Sequence, residues 1–219
     1  MKQDKTWAII PAYNEEKDIK GVIRDTKKYV KNILIIDDGS KDRTYEITKR
    51  EGVTAVKHII NLGKGAALKT GCDFAVKSGA EILVVLDADA QHEPKEIPNF
   101  IRSLKDVDMV FGYRQLEGMP FILKFGNLCI NKITQLLFKI RIRDTQSGYR
   151  AFTSRAYRKI RWKASNYSME SEMIANLGKH KLKYKEIPIR TIYTDRYKGT
   201  TVLDGIKIVF NMIWWRLTK

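Results

Sequence analysis

"VVLDADAQHEP", residues 84–94, reads as a strand that runs into acids. The apolar run ends at Asp87, with Ala88, Asp89, Gln91, His92 and Glu93 close behind. Aspartate is depleted in strands, and crowded carboxylates repel one another. In an open α/β sheet, however, ligands bind beyond the carboxyl ends of the strands. Two other strand ends carry similar groups. Asp37 and Asp38 close "NILIIDD", and Pro11, Tyr13 and Glu15 follow "WAII". Three strand ends thus set acids along one rim. Aspartates after strands also cap turns and helices, and for Asp37–Asp38 that alternative stays open. Asp87, Asp89 and the amide of Gln91 are hard oxygen donors suited to a divalent cation, which would relieve their repulsion and bridge a diphosphate.

The surrounding pattern supports a mostly parallel α/β sheet with helices on both faces. Strands are expected at 7–12, 32–37, in "VTAVKHI", at 81–87 and at 107–114. Between them, Ile19, Val22, Ile23, Thr26 and Val30 recur at helical spacing. Ser40 reads as an N-cap and Gly52 as a stop for the next helix, and "GKGAALKTGCDFAVKSG" as a helix between glycines. Pro94 suits a first helical turn.

After about residue 115 the pattern changes. Residues 120–140 form a long amphipathic helix, with Ile122, Phe125, Cys129, Ile133, Leu136, Leu137 and Ile140 as its apolar face. A polar segment, 141–152, precedes the helix "YSMESEMIANLGKHKL". "KYKEIPIRTIY" reads as an edge strand because of Pro188. The end, "VLDGIKIVFNMIWWRLTK", is apolar almost all round. The expectation is one domain over 1–219. The strand-end acids put an expected nucleotide-sugar-binding half at about 1–115, and the amphipathic and apolar helices an expected acceptor half with interfacial helices at about 116–219.

The chain has 219 residues, 43% of them hydrophobic and 30% charged, with a net charge of +16. The charge points to an anionic partner: nucleic acid, an acidic membrane surface or a phosphorylated ligand. Against nucleic acid, the basic residues form no aromatic-interleaved module and no helix-turn-helix. Cys72 and Cys129 lack metal-type spacing and suit reduced core thiols. No stretch reaches the roughly 18 apolar residues of a spanning helix, and the first residues lack a signal-peptide core. A protein that is soluble or peripheral on the cytoplasmic face of a membrane is expected.

"IIPAYNEE", "IIDDGSKDRT", "NLGKGAALKTG", "VLDADAQHEP", "FGYR" and "DTQSGYRAF" occur in one order along the chain. As an ordered set they resemble family 2 glycosyltransferases of the GT-A fold, nearest to the dolichyl- or polyprenyl-phosphate sugar synthases. The resemblance implies transfer of a hexose from a nucleotide diphosphate (UDP- or GDP-linked) to a polyprenyl phosphate, with Mg²⁺ or Mn²⁺. It implies a base and ribose pocket at Pro11, Tyr13, Glu15, Ile36 and Asp38. Asp87, Ala88 and Asp89 become the DxD motif, with Asp87, Asp89 and Gln91 as metal-site residues. Arg114 faces the donor and acceptor phosphates, and Lys124 stands where related synthases carry an acceptor-binding arginine. Arg196 and Lys198 in "TDRYKGTT" match a loop near the donor diphosphate, although the family's Ser-Lys end is replaced by Thr201-Val202.

A lipid phosphate is largely ionised at neutral pH and attacks without a general base. The protein's task is then positioning and charge neutralisation. Lys64 reads either as a residue approaching the nucleotide or as part of a plain turn and cap. Asp144 is expected to orient Arg150 or the acceptor loop, and in a transferase acting on a hydroxyl it would be the base. Glu170 and Glu172 read as structural or acceptor-side residues.

Overall fold

Buried strands need cover on both faces, and β1 (Thr6–Ala12) shows it: Ile9 packs into one apolar cluster while Ala8 and Ile10 pack into another. The computed structural model describes residues 5–115, 121–166, 168–190, 207, 209–212 and 214, with the side chains of 121–123 and 125 left aside. Further strands are β2 (Asn32–Asp37), β3 (Thr54–Lys57), β4 (Ile82–Val85), β5 (Met109–Arg114), β6 (Arg150–Thr153) and β7 (Tyr184–Ile189). They form one sheet in the order β3-β2-β1-β4-β6-β5-β7. β6 runs antiparallel to both β4 and β5, and the other pairs are parallel. The polar reading of 141–152 overlooked β6, because only Ala151, Phe152 and the buried Arg150 mark it. Pro188 lies in the edge strand β7, opposite Tyr113, as its missing donor requires.

One face is covered by α1 (Ile19–Lys27) and α4 (Ile97–Ser103). The other carries α3 (Lys64–Lys77), α6 (Ser154–Ile160) and α7 (Ser168–Lys179). The five residues picked out at helical spacing on α1 and just beyond it are all buried. Pro94 opens a short 3-10 turn before α4. Gly63 and Gly79 flank α3 in the left-handed region, at φ 94° and 88°. Ser40 does not cap the next helix. α2 runs Thr44–Arg50, and Ser40 instead donates its amide to Asp37 Oδ1 at 2.7 Å. Gly52 does follow the end of α2, at φ 68°.

The long helix α5 is Phe121–Phe138. Its inner side carries Asn127, Ile130 and Thr134, whereas Cys129 and Leu136 of the expected apolar face are exposed and Ile133 and Leu137 only half-buried. Met212 of the C-terminal helical residues fills the difference, packing on Ile130 and accepting from Thr134 Oγ1 at 3.3 Å. Among the described residues, no helix is long and apolar enough to cross a membrane.

α3 lies on the sheet at Gly71, where a Cβ would stand 2.5 Å from Ile9 Cγ2 and 3.0 Å from Ile36 Cγ1. Gly71→Ala should therefore lower stability by about 1–3 kcal/mol. The check is a lower denaturation midpoint with an unchanged slope.

Candidate active site

β1, β2, β4 and β5 point their carboxyl ends at one pocket of about 330 Å³. Pro11, Tyr13, Glu15, Asp38, Lys64, Asp87, Ala88, Asp89, Gln91 and Arg114 all line it. Ile36 does not. It is fully buried in the core under α3, because successive strand residues face opposite sides and its side faces the helix. Lys124 is half-buried on α5 and is not part of the pocket lining. Arg196 and Lys198 lie outside the described residues.

Asp38 lines the pocket, yet its carboxylate is already engaged. Oδ1 accepts from the amide of Leu62 at 3.0 Å and lies 2.7 Å from His58 Nδ1, and Oδ2 accepts from the amide of Gly63 at 2.8 Å. It thus fastens the loop before α3 to the end of β2. That loop must also admit residues 164–166. A Cβ on Gly63 would be 2.5 Å from Ser165 O, and one on Gly65 2.5 Å from Ala164 O. Trp162 secures the approach by donating Nε1–H to Gly65 O at 2.8 Å.

Lys64 begins α3 at this crowded point. Its Nζ stands 2.8 Å from Asp87 Oδ1 and 3.3 Å from Glu170 Oε1. Burial disfavours ionising Asp87, but Lys64 and then His92 outweigh it and hold the carboxyl at about 2. Asp89, two residues on, has the opposite balance: burial and then the charge of Asp87 push it up to about 6. Its Oδ1 accepts from the Gln91 amide at 3.1 Å, and Ala90 takes a left-handed φ of 58° to allow the turn. His92 accepts from the amide of Asp87 at Nδ1, 3.2 Å away, and stacks near Tyr149. Burial pushes its pKa down to about 4, so the ring is neutral at pH 7.

The donor set fits a hard divalent cation. Asp89 is a carboxylate raised by burial and by a like charge, and the amide of Gln91 adjoins it. Asp87 is less available, since Lys64 already neutralises it. Among the described residues no three His, Cys, Asp or Glu side chains gather to hold a metal, so substrate oxygens would have to complete the shell.

Arg114 is gripped by Asp144. Nε donates to Oδ2 at 2.7 Å and Nη2 to Oδ1 at 3.0 Å, and the Arg114 amide adds a bond of 3.2 Å. Although burial opposes it, Arg114 keeps the Asp144 carboxyl below the usual range. This corrects two expectations. Asp144 orients Arg114 rather than Arg150, and it is 1% exposed and not in the pocket lining, so it stands behind the site. Arg150 does not reach substrate space either. Its guanidinium is buried and donates to Ser147 O at 2.9 Å, Thr145 O at 2.7 Å and Glu170 O at 3.3 Å. Glu172 is structural, accepting from the amides of Lys163 and Ala164 at 2.9 Å.

Sequence reasoning passed over most of the second-half wall of the pocket, Gln146, Ser147, Gly148 and Asn166; Glu170, read from the sequence as structural or acceptor-side, lines it as well. The signal for it was the polar run 144–147 beside a glycine.

Asp89 gives a signed test. In the folded protein it keeps its proton up to about pH 6, whereas a free aspartate loses it near 3.8. The stability linked to that proton is full below about pH 4 and is lost as pH rises through 6. Asp89→Asn mimics the protonated form. Without divalent ions the variant should exceed the native protein by on the order of 1–2 kcal/mol at pH 8. Thermal melts should show the gap closing at pH 4.5.

Residues 7–161 match the model of glycosyl transferase family 2. A UDP-N-acetylglucosamine–dolichyl-phosphate N-acetylglucosaminyltransferase from Methanococcus voltae is 37% identical, over 100% of this chain and 99% of its own. A dolichol-phosphate mannosyltransferase from Pyrococcus furiosus is 28% identical, over 96% of this chain and 64% of its own. Among solved structures, glucosyl-3-phosphoglycerate synthase from Mycobacterium tuberculosis, in complex with Mn²⁺, UDP and phosphoglyceric acid, aligns with a TM-score of 0.73. At 18% identity, over 97% of this chain and 78% of that one, it establishes the shared GT-A fold. With the family match spanning the sheet and the pocket's strand ends, and a relative this similar over the full length, the chain belongs to glycosyl transferase family 2.

Proposed function

We propose that the protein is an inverting hexosyltransferase that moves a hexose from a nucleotide diphosphate to a dolichyl-type polyprenyl phosphate. One observation carries the reading: a single pocket sets the acids Asp87 and Asp89 against the locked guanidinium of Arg114. The acid side suits a cation-bound diphosphate, and the guanidinium suits a second phosphate. The activities of the Methanococcus and Pyrococcus relatives support the same donor and acceptor classes. Either a UDP- or a GDP-linked sugar fits the reading.

Tyr13, Glu15 and Pro11 line the pocket beside the end of β1, Tyr13 exposed and Glu15 buried, and would receive the base and ribose. Asp89 and Gln91 would hold Mg²⁺ or Mn²⁺, which when bound neutralises charge on the leaving diphosphate. Asp144 keeps Arg114 aimed, so that it can orient an anionic acceptor. A phosphate nucleophile needs no base. Transfer to a hydroxyl would need one, and Asp144 has both oxygens on Arg114 and does not line the pocket. That difference favours the phosphate acceptor. We assign no role in nucleic-acid binding, since the pocket accounts for an anionic ligand.

We further propose peripheral attachment to the cytoplasmic face of a membrane. Leu128 and Leu136 on α5 and Phe210 and Trp214 near the C-terminus are exposed, Leu136 by 80% and Trp214 by 62%. Lys132, Lys139 and Lys207 are exposed alongside. Interfacial tryptophan and flanking lysines favour an anionic lipid surface. Trp215, invoked with Trp214 from the sequence, lies outside the described residues.

Radiolabelled UDP-N-acetylglucosamine, UDP-glucose and GDP-mannose, each supplied with a prenyl phosphate, should give organic-phase product for at least one donor. EDTA should abolish transfer and Mn²⁺ restore it, Asp89→Ala should be folded but inactive, and an α-linked donor should give a β-linked product. Full activity in EDTA, or retention at the anomeric carbon, would sink the mechanism.

Attachment is checked by co-sedimentation with anionic liposomes, which high salt should weaken. Leu136→Asp combined with Trp214→Ala should reduce binding at least about tenfold, given the apolar area withdrawn. Undiminished binding by the double variant would place the contact elsewhere.

A further inference from the structure

The second-half wall of the pocket carries oxygens that the fold leaves unused. Gln146 Oε1, Ser147 Oγ and Glu170 Oε2 are buried and have no hydrogen-bond partner among the described residues. An unsatisfied buried acceptor is costly, and such atoms in a native fold call for an explanation. All three residues line the pocket that holds Asp87 and Asp89. Resting on the glycosyl-transfer reading above, we propose that this wall binds the transferred sugar itself and restricts it to uncharged hexoses, N-acetylated ones included.

Position supports the assignment. Gly148 lies so near the DxD carboxylate that a Cβ there would be 2.6 Å from Asp87 Oδ2 and 3.0 Å from Lys64 Nζ. Lys64 in turn bridges Asp87 to Glu170. The wall is therefore continuous with the diphosphate end of the pocket, where a sugar on the distal phosphate must fall. It is also rigid. Arg150 ties the carbonyls of Thr145, Ser147 and Glu170 to one guanidinium. Gln146 Nε2 donates to Thr145 Oγ1 at 3.3 Å and to Ser171 Oγ at 3.4 Å, which leaves Oε1 as the open end of that amide.

Chemistry then selects the sugar. Gln146 Oε1 and the Glu170 carboxylate can only accept, and Ser147 can accept or donate. Their complement is a ring of hydroxyl donors, or an acetamido N–H. A hexuronate offers a carboxylate instead. It would meet Asp87 and Glu170, two acids that share the ammonium of Lys64. Like charges at that range oppose binding.

Calorimetry with Mn²⁺ tests this on UDP and GDP alone, on UDP-glucose, UDP-N-acetylglucosamine and GDP-mannose, and on UDP-glucuronate. At least one neutral donor should bind about tenfold or more tightly than UDP-glucuronate. Glu170→Gln should weaken that neutral donor about tenfold. It should weaken the bare nucleotide less than the sugar donor and narrow the gap to the uronate. Ser147→Ala, which keeps the Lys64 bridge, should weaken the neutral donor in the same selective way if the Glu170 variant fails to fold. Equal binding of uronate and neutral donors, or parallel losses for sugar donor and bare nucleotide, would overturn the subsite. Failure to bind any nucleotide would instead remove the functional reading, and this inference with it.

Discussion

The ammonium of Lys64, set between the carboxylates of Asp87 and Glu170, is the contact on which the site depends. It joins a strand end from the first half of the chain to a helix from the second. Without it, Asp87, Asp89 and Glu170 would face one another in a partly desolvated pocket, which carboxylates do not tolerate while ionised. The local backbone follows from its placement. Lys64 can start α3 there only because Gly63 and Gly65 let residues 164–166 pass within contact distance. Trp162 and Glu172 then hold that passing segment in place.

The two aspartates of the DxD stretch illustrate how environment divides labour between like groups. Asp87 sits beside a lysine and stays ionised down to about 2, while Asp89 has burial and a like charge against it and rises to about 6. One acts as a fixed anion that organises the wall, and the other is the carboxylate proposed above to hold a cation. Across the pocket, Arg114 and Asp144 form the reverse arrangement, an aimed cation backed by a buried acid. A chain with a net charge of +16 therefore concentrates its functional acids in one place and its exposed lysines elsewhere.

The pocket's first wall was legible in the sequence because acids after apolar runs break the expected pattern, so Asp38, Asp87 and Asp89 announced themselves. Pattern also located β1 to β5, β7 and most helices. It missed β6, a strand of four residues whose first member is a buried arginine, since burial of an arginine depends on carbonyls that only the fold assembles. The resemblance to the family placed Ile36 in the pocket, but a motif match does not fix which face a strand residue takes, and Ile36 faces the core. Pattern read α5 as one apolar stripe, whereas the buried side includes Asn127 and Thr134, whose neighbours come from elsewhere in the chain. The partner of Asp144 was likewise hidden, since Arg114 and Arg150 are equally plausible until β5 and β6 are set side by side.

The antiparallel position of β6 has a further consequence for how the chain can be divided. β5 pairs only with β6 and β7, and both lie later in the sequence. A ribosome that has delivered residues 1–115 has supplied β1 to β4 with mutual partners, but β5 with none. The boundary that composition suggests near residue 115 is thus no autonomous unit of synthesis. The edge of β4 stays open until residues 150–153 emerge, and the strand that carries Arg114 joins the sheet only after its guanidinium's counterion, Asp144, has already been made.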